Sequence, residues 1–292
     1  MSTTLSMMQN GLYTGYHGNT NLRGEIMLNV KKIFVLLSAV TALVFIACGN
    51  IIDPDPIHNN RYTAVSEFSF TIDAIDKSKL ELGSINGGVV IVGDENADNV
   101  VVAGEKIVKS DNEMDAQSYL KNLKVSIAES GKTLYVTSEQ PENTQGRDVS
   151  IEYEIRVPAS WTCAVELVNG QVAADSLRRD LMIKVTNGNV SLQEMIANAY
   201  IRVTNGQIDG CMTLRSGGTV DAETTNGIIT MRFPQSTSAQ LTAKVTNGTV
   251  NVSGLTLDNM YGSQKEIHGT IGSGDGTIML KTTNGNITVM GY

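Results

Sequence analysis

The sequence has few of the residues on which most enzymes and metal proteins depend. Its 292 residues include only three histidines and three cysteines. A structural zinc site needs Cys and His clustered at short spacing, and no such cluster occurs. A serine–histidine–aspartate triad would have to use His268, because His58 lies in a polar segment near the N-terminus. The composition therefore predicts a protein that is not an enzyme and that holds no metal or cofactor.

Basic residues are outnumbered by acidic ones. The chain has 22 Lys and Arg against 30 Asp and Glu, a formal net charge of −8. Proteins that bind nucleic acid neutralise phosphates with a stripe of cations, which this balance disfavours. We therefore expect no nucleic-acid partner, and the acidity suits a soluble extracytoplasmic surface.

Long hydrophobic segments are missing except for one, at residues 33–47. Lys31 and Lys32 precede it, and Cys48 and Gly49 follow it, which is the order of a secretory signal. The segment is shorter than the roughly 20 residues that span a membrane. Phe45-Ile46-Ala47-Cys48 resembles the lipobox of bacterial lipoproteins. The resemblance implies a signal peptide at residues 27–47 and a lipidated Cys48, followed by a flexible tether that ends at residue 61. Residues 1–26 are interpreted as an upstream extension, with translation starting at Met27.

What the chain does have is a repeat. In the second half of the chain the dipeptide Asn-Gly occurs six times, at intervals of 18, 18, 21, 21 and 37 residues, each time within a version of Val-Thr-Asn-Gly-x-Val/Ile. The asparagines form one column: Asn169, Asn187, Asn205, Asn226, Asn247 and Asn284. A period near twenty residues is typical of one coil of a stacked β-solenoid. An antiparallel meander is the alternative, because Asn-Gly also forms hairpin turns.

Positions counted from each asparagine alternate between apolar and polar, as in a strand with one buried face. The inward positions are the fourth and second before Asn and the third after it. The fourth residues before Asn are Val165, Ile183, Ile201, Ala222, Ala243 and Leu280. The second residues before Asn are Leu167, Val185, Val203, Thr224, Val245 and Thr282. The third residues after Asn are Val172, Val190, Ile208, Ile229, Val250 and Ile287. The motif His268-Gly269-Thr270-Ile271 resembles a further copy with His in place of Asn. The sequence thus predicts an all-β, single-stranded parallel solenoid of about seven coils.

The outward positions include a charged one, the third before each Asn. We call Glu166, Lys184, Arg202, Glu223, Lys244 and Lys281 the charged column. Its members Lys184, Arg202, Glu223, Lys244 and Lys281 are predicted to form a binding face, beside an exposed ladder of threonines directly before the asparagines. The Asn column itself is predicted to be structural, since Asn and Gly permit sharp turns and stacked Asn side chains can hydrogen-bond to one another.

Catalysis on such a fold would need convergent carboxylates. Asp209, Asp221 and Asp275 stand at different positions within the repeat, so no acidic pair is evident. Cys163 and Cys211 also occupy different columns, and we expect buried thiols. A polysaccharide-active enzyme is therefore the least favoured of the functions considered.

Residues 62–160 carry alternating strands without the strict period and are predicted to cap the solenoid, while residues 161–292 form its regular repeats. Asn86-Gly87 looks like an early turn of the same type. One short helix is predicted at residues 111–123, with Met114, Ala116 and Leu123 on its inner face. A cap is expected because an open solenoid end exposes core and strand edges.

Several of these motifs together resemble a bacterial family of predicted adhesins. They are Asn86-Gly87, the strand at residues 153–158, the Asn-Gly coils, and the glycine-rich residues 269–276. The resemblance covers roughly residues 65–292. It implies an exported β-solenoid, commonly a lipoprotein, and it carries over no catalytic residues.

Two functions remain open at this point. One is a lipid-anchored protein of the cell envelope, in the outer membrane of a Gram-negative bacterium, that binds glycan or protein at the surface. The other is a periplasmic scaffold or sensor that docks another envelope protein. The oligomeric state, and whether the protein faces the surface or the periplasm, are left open by the sequence.

Overall fold

A computed structural model of the chain describes residues 59–292. The predictions for the signal peptide, for Cys48 and for most of the tether lie outside these residues. The described part is all-β with one short helix, as the sequence predicts.

The N-terminal strands are β1 (Tyr62–Asp73), β2 (Lys79–Asn86), β3 (Val89–Asp94), β4 (Asn99–Ser110), β5 (Lys124–Ser130), β6 (Thr133–Glu139) and β7 (Asp148–Pro158). Helix α1 (Glu113–Tyr119) lies between β4 and β5. The central strands are β8 (Thr162–Asn169), β9 (Val172–Asp175), β10 (Leu181–Asn187), β11 (Val190–Met195), β12 (Ala199–Asn205), β13 (Ile208–Met212), β14 (Thr219–Asn226), β15 (Ile229–Phe233), β16 (Ala239–Asn247) and β17 (Val250–Ser253). The last four are β18 (Asp258–Ser263), β19 (Glu266–Ile271), β20 (Gly276–Asn284) and β21 (Ile287–Gly291).

These strands form two sheets. Sheet 1 has the order β1-β4-β7-β3-β9-β11-β13-β15-β21-β17, and sheet 2 has the order β18-β19-β16-β20-β14-β12-β10-β8-β2-β6-β5. Each Asn-Gly pair carries the chain from a sheet 2 strand into a sheet 1 strand, as from β8 to β9. Seven such two-strand units stack with parallel pairing in both sheets.

The core lies between the sheets. Every residue at the three predicted inward positions is buried, with an exposed fraction of 7% or less. Most of these side chains are branched aliphatic, and burying one stabilises the fold by about 1.5–3 kcal/mol. Thr224 and Thr282 are fully buried in the same positions, and their hydroxyls donate to the carbonyls of Gly206 and Gly227. The period-two reading of the repeats is therefore confirmed.

The order of the stack differs from the order of the sequence. The last unit, β20–β21, lies between β14–β15 and β16–β17 in both sheets. The outer edge of β16 is occupied by the antiparallel hairpin β18–β19. His268 pairs with Thr242 in the middle of β19, so its interpretation as a turn residue was wrong. The prediction of a continuous seven-coil solenoid is accordingly not confirmed in that form.

The predicted cap is continuous with both sheets. Strand β7 extends sheet 1 parallel to β3, and β4 and β1 follow with antiparallel pairing. Strand β6 extends sheet 2 parallel to β2, and β5 follows with antiparallel pairing. Helix α1 begins after Asn112, whose side chain accepts a hydrogen bond from the Asp115 amide. Ala116 and Leu123 are buried as predicted, but Met114 is 78% exposed and does not face inward.

Candidate binding face

The asparagine column forms a continuous hydrogen-bonded ladder. Each side-chain amide donates to the carboxamide oxygen of its neighbour at 2.7–2.8 Å, in the spatial order Asn86, Asn169, Asn187, Asn205, Asn226, Asn284 and Asn247. Asn284 lies between Asn226 and Asn247 because the last unit, β20–β21, lies between β14–β15 and β16–β17. Asn86 belongs to the ladder, which agrees with its interpretation as an early turn of the same type.

The glycine after each asparagine is required by close packing of successive turns. Gly188 has a φ of +153°, and a Cβ added there would lie 1.5 Å from the carbonyl oxygen of Gly170. No side chain fits at that distance, and φ in this range favours glycine. The Asn-Gly edge thus has a structural explanation that needs no ligand.

The charged column is exposed on the outer face of sheet 2, but its cations have partners. Lys184 pairs with Glu166 at 2.6 Å, and Arg202 pairs with Asp221 at 2.6 Å. The other two pairs are Lys281 with Glu223 at 2.7 Å and Lys244 with Glu266 at 2.9 Å. The hydrogen bond from Lys244, and to a smaller extent the one from His268, lowers the pKa of Glu266. The predicted binding face is therefore close to electrically neutral, which the sequence spacing alone did not indicate.

A second outward column runs beside the charged one, at the fifth residue before each asparagine. We call Ala164, Met182, Tyr200, Asp221, Met279 and Thr242 the mixed column, in their spatial order. Met182, Tyr200 and Met279 are 47%, 41% and 43% exposed. The sequence analysis missed this column, although apolar residues at an outward position were a signal for it.

The mixed column continues past the repeats at both ends. At the C-terminal side it reaches His268, whose ring stacks on Tyr261 with centroids 4.7 Å apart. At the N-terminal side it reaches Glu81 and Tyr135. The outer face of sheet 2 thus carries one line of side chains across ten strands, in which apolar and aromatic residues are interrupted by Glu81, Asp221 and Thr242.

A depression of about 710 Å³ lies on this face. Tyr135, Met182 and Tyr200 stand around it, while Gly83 and Ala164 line it with small residues. The lining strands β6, β2, β8, β10 and β12 are neighbours in sheet 2. The depression therefore runs from Tyr135 on β6 to Tyr200 on β12, which are more than sixty residues apart in the sequence.

Residues 92–290 match the model of the Toastrack DUF4097 family, which is more than half of the chain. The chain belongs to the Toastrack DUF4097 family. Comparison with curated proteins gave no match.

Solved structures similar to this Toastrack chain include the following two. A "putative cell adhesion protein" from Clostridium sporogenes is 17% identical, with a TM-score of 0.48, and the match covers 78% of this chain and 100% of that one. A "putative adhesin" from Bacteroides fragilis is 13% identical, with a TM-score of 0.37, and the match covers 78% of this chain and 97% of that one.

The outer face of sheet 1 in this Toastrack fold has a different character. Its units present mainly small or polar residues, among them Ala173, Ser191 and Thr230, and Asp209 pairs with Arg232 at 2.6 Å. Within residues 59–292, none of the large exposed apolar side chains lies on β9, β11, β13, β15, β17 or β21. The two faces of the Toastrack stack are therefore chemically distinct.

The structure does not bring the candidate acids together. Asp209 lies on sheet 1, Asp221 pairs with Arg202 on sheet 2, and Asp275 lies in a loop where hydrogen bonds from Ser273 and Ser238 lower its pKa. Among residues 59–292, no group of three His, Cys, Asp or Glu side chains is placed to hold a metal ion. In the same part of the chain, no helix is long and apolar enough to cross a membrane.

The two cysteines of the described residues are free thiols. Cys163 is fully buried in the core, and burial raises its pKa to about 12. Cys211 is partly buried in sheet 1. The expectation of unpaired thiols agrees with this geometry, while only Cys163 is buried.

Proposed function

We propose that the chain is a non-catalytic surface-binding protein of the cell envelope that presents the outer face of sheet 2 to its ligand. The observation that carries the proposal is the mixed column, in which Met182, Tyr200 and Met279 are each more than 40% exposed. Met182 and Tyr200 are adjacent in this column, and Asp221 separates Tyr200 from Met279. Adjacent apolar side chains exposed on a monomer mark interaction sites when polar residues surround them. Here the paired charges of the charged column supply that polar border.

The stacked units provide a preorganised face for binding. The seven units are held in register by the backbone ladders of two sheets and by the asparagine ladder. We propose that they act as the coils of a short solenoid, each stabilised by its immediate neighbours. A face that does not rearrange loses little conformational entropy on binding, which favours affinity.

We also propose that Cys48 is lipidated and anchors the protein to a membrane, in accordance with the hydrophobic segment at residues 33–47. An extended chain from Cys48 to Tyr62, where β1 begins, reaches at most about 50 Å. The two-sheet stack would then be held near the membrane while its faces remain free to meet a glycan or a protein.

Protease treatment of intact cells tests the location. We expect digestion of the wild-type protein on intact cells, and release or mislocalisation of a Cys48→Ala variant. Protection until the outer membrane is opened would place the protein in the periplasm and favour the scaffold function instead. A variant that behaves as the wild type would contradict the lipid anchor.

Adhesion tests the binding function itself. Cells that produce the protein are compared with cells that lack its gene for attachment to host-cell and polysaccharide surfaces. We expect attachment to depend on the protein, and equal attachment by both strains would contradict a surface-binding role.

A further inference from the structure

The depression on sheet 2 is lined by an ordered row of side chains. Reading across neighbouring strands, the row is Tyr135, Glu81, Ala164, Met182 and Tyr200. Its ends are four strand spacings apart, which is about 19 Å. Two tyrosines therefore flank a shallow channel that crosses the strands.

Gly83 keeps this channel open without a structural need for glycine. A Cβ added at Gly83 would meet no atom within 4 Å, in contrast with the turn glycine Gly188. The backbone of Gly83 also lacks the positive φ that would favour glycine. A glycine inside a strand destabilises it by about 0.5–1 kcal/mol relative to alanine, and often marks a place where a ligand approaches closely.

The charges around the channel are already matched. Lys79 pairs with Glu81 at 2.6 Å, Lys184 pairs with Glu166 at 2.6 Å, and Arg202 pairs with Asp221. A polyanion such as nucleic acid needs cations that are free to neutralise it. The channel instead complements a ligand without net charge.

The backbone under the channel is not free to pair with a peptide strand. Strands β2, β8 and β10 each lie between two partners in sheet 2, so their ladders are complete. Addition of a peptide strand requires an open sheet edge. Recognition here must come from side chains alone.

We propose that this channel binds a neutral polysaccharide chain that runs across the strands. Tyr135 and Tyr200 provide apolar ring surfaces for two sugar units, because tyrosine combines a hydrophobic face with a polar tip. The carboxylates of Glu81 and Glu166 accept hydrogen bonds from sugar hydroxyls, and charged acceptors make the stronger bonds of this kind. The proposal rests on the proposed surface-binding function and specifies its ligand.

Binding of the full-length protein to a panel of soluble polysaccharides tests the proposal. The panel contains neutral β-glucan and mannan together with acidic alginate, and affinity is measured by calorimetry with tyrosine fluorescence as a second readout. Three variants are compared with the wild type: Tyr200→Ala removes one ring, Gly83→Trp fills the channel, and Ser191→Trp adds the same bulk on sheet 1 as the matched control. Near-ultraviolet circular dichroism verifies that each variant is folded.

We expect the wild type and Ser191→Trp to bind a neutral polysaccharide, with binding weakened at least tenfold in Tyr200→Ala and in Gly83→Trp. If Gly83→Trp fails to fold, Tyr200→Ala still decides the result. Unchanged binding in the folded channel variants would overturn the channel as the site. Preference for alginate would overturn the neutral ligand class.

The outcomes separate this proposal from the function on which it rests. If cells still attach through the protein but no panel member binds, or a protein ligand binds this face instead, the glycan ligand is refuted while the surface-binding function stands. If neither attachment nor polysaccharide binding is observed, both are refuted.

Discussion

The asparagine ladder gives a quantitative prediction from two matched substitutions. Asn205 lies inside the ladder, where it donates to Asn187 and accepts from Asn226, both at 2.8 Å. Asn247 ends the ladder and makes one such bond, to Asn284. Neither residue has a positive φ, so alanine fits the backbone at both positions. Asn205→Ala therefore removes two ladder bonds and Asn247→Ala removes one.

The expected magnitudes follow from the number of bonds. A net hydrogen bond contributes about 0.5–1.5 kcal/mol to stability, and these exposed bonds fall in the lower half of that range. Asn205→Ala should therefore cost about 1–2 kcal/mol and Asn247→Ala about half as much. For a domain of this size, 1 kcal/mol lowers Tm by about 2–4 °C.

Thermal and urea unfolding of the full-length protein measure both variants beside the wild type. We expect Asn205→Ala to lower the free energy of unfolding about twice as much as Asn247→Ala, with an unchanged urea m-value. Equal effects, or no effect of Asn205→Ala, would refute the view that the carboxamide ladder stabilises the stack.

Three further predictions concern the fold. In Gly188→Ala the added Cβ would overlap the Gly170 carbonyl oxygen. We expect this variant to be insoluble, or to have a Tm lowered by roughly 10 °C or more in thermal melting curves. The hydrogen bond from Arg147 lowers the pKa of Asp115 to about 2. The ionised carboxylate of Asp115 therefore stabilises the fold fully above about pH 4, and this stabilisation is lost as the pH falls towards 2. In urea titrations, the difference in the free energy of unfolding between the wild type and Asp115→Asn should shrink over that range. Cys163, with its pKa raised to about 12 by burial, should react with a thiol reagent at pH 8 only after unfolding, and rapid labelling of the native protein there would contradict its position in the core.

The repeating unit could be predicted from the sequence because burial constrains it. A side chain such as Ile201 must be apolar wherever it faces the core, so its spacing from Asn205 recurs in every unit. The polar alternation and the turns follow from the same constraint. These features therefore repeat in the sequence as they do in space.

The order of the units could not be predicted, because the units resemble one another. The strand that contains Leu280 fits in register beside both Ala222 and Ala243. Beside either neighbour, β20 buries its apolar side chains, completes the backbone hydrogen bonds and places Asn284 in the asparagine ladder. The hairpin β18–β19 takes the outer edge of β16, and no periodic signal announces that antiparallel pairing.

The sequence predicted only part of the candidate site, because several of its residues lie outside the regular repeats. The cations of the charged column repeat and were found, but the partner of Lys244 is Glu266, which comes from the hairpin. Gly83 and Tyr135 come from outside the regular repeats and reach the face only because β2 pairs with β8 and β6 pairs with β2. Contacts between segments so distant in sequence leave no local pattern.

Attachment of cells that carry face-specific variants tests the central claim most directly. One variant combines Met182→Ser, Tyr200→Ser and Met279→Ser on the outer face of sheet 2, and the control combines Ser191→Ala with Thr230→Ala on sheet 1. At equal amounts of protein on the cells, we expect the first variant to lose attachment and the control to retain it. Attachment that is equal in both, or lost only in the sheet 1 control, would contradict the assignment of the binding face to sheet 2.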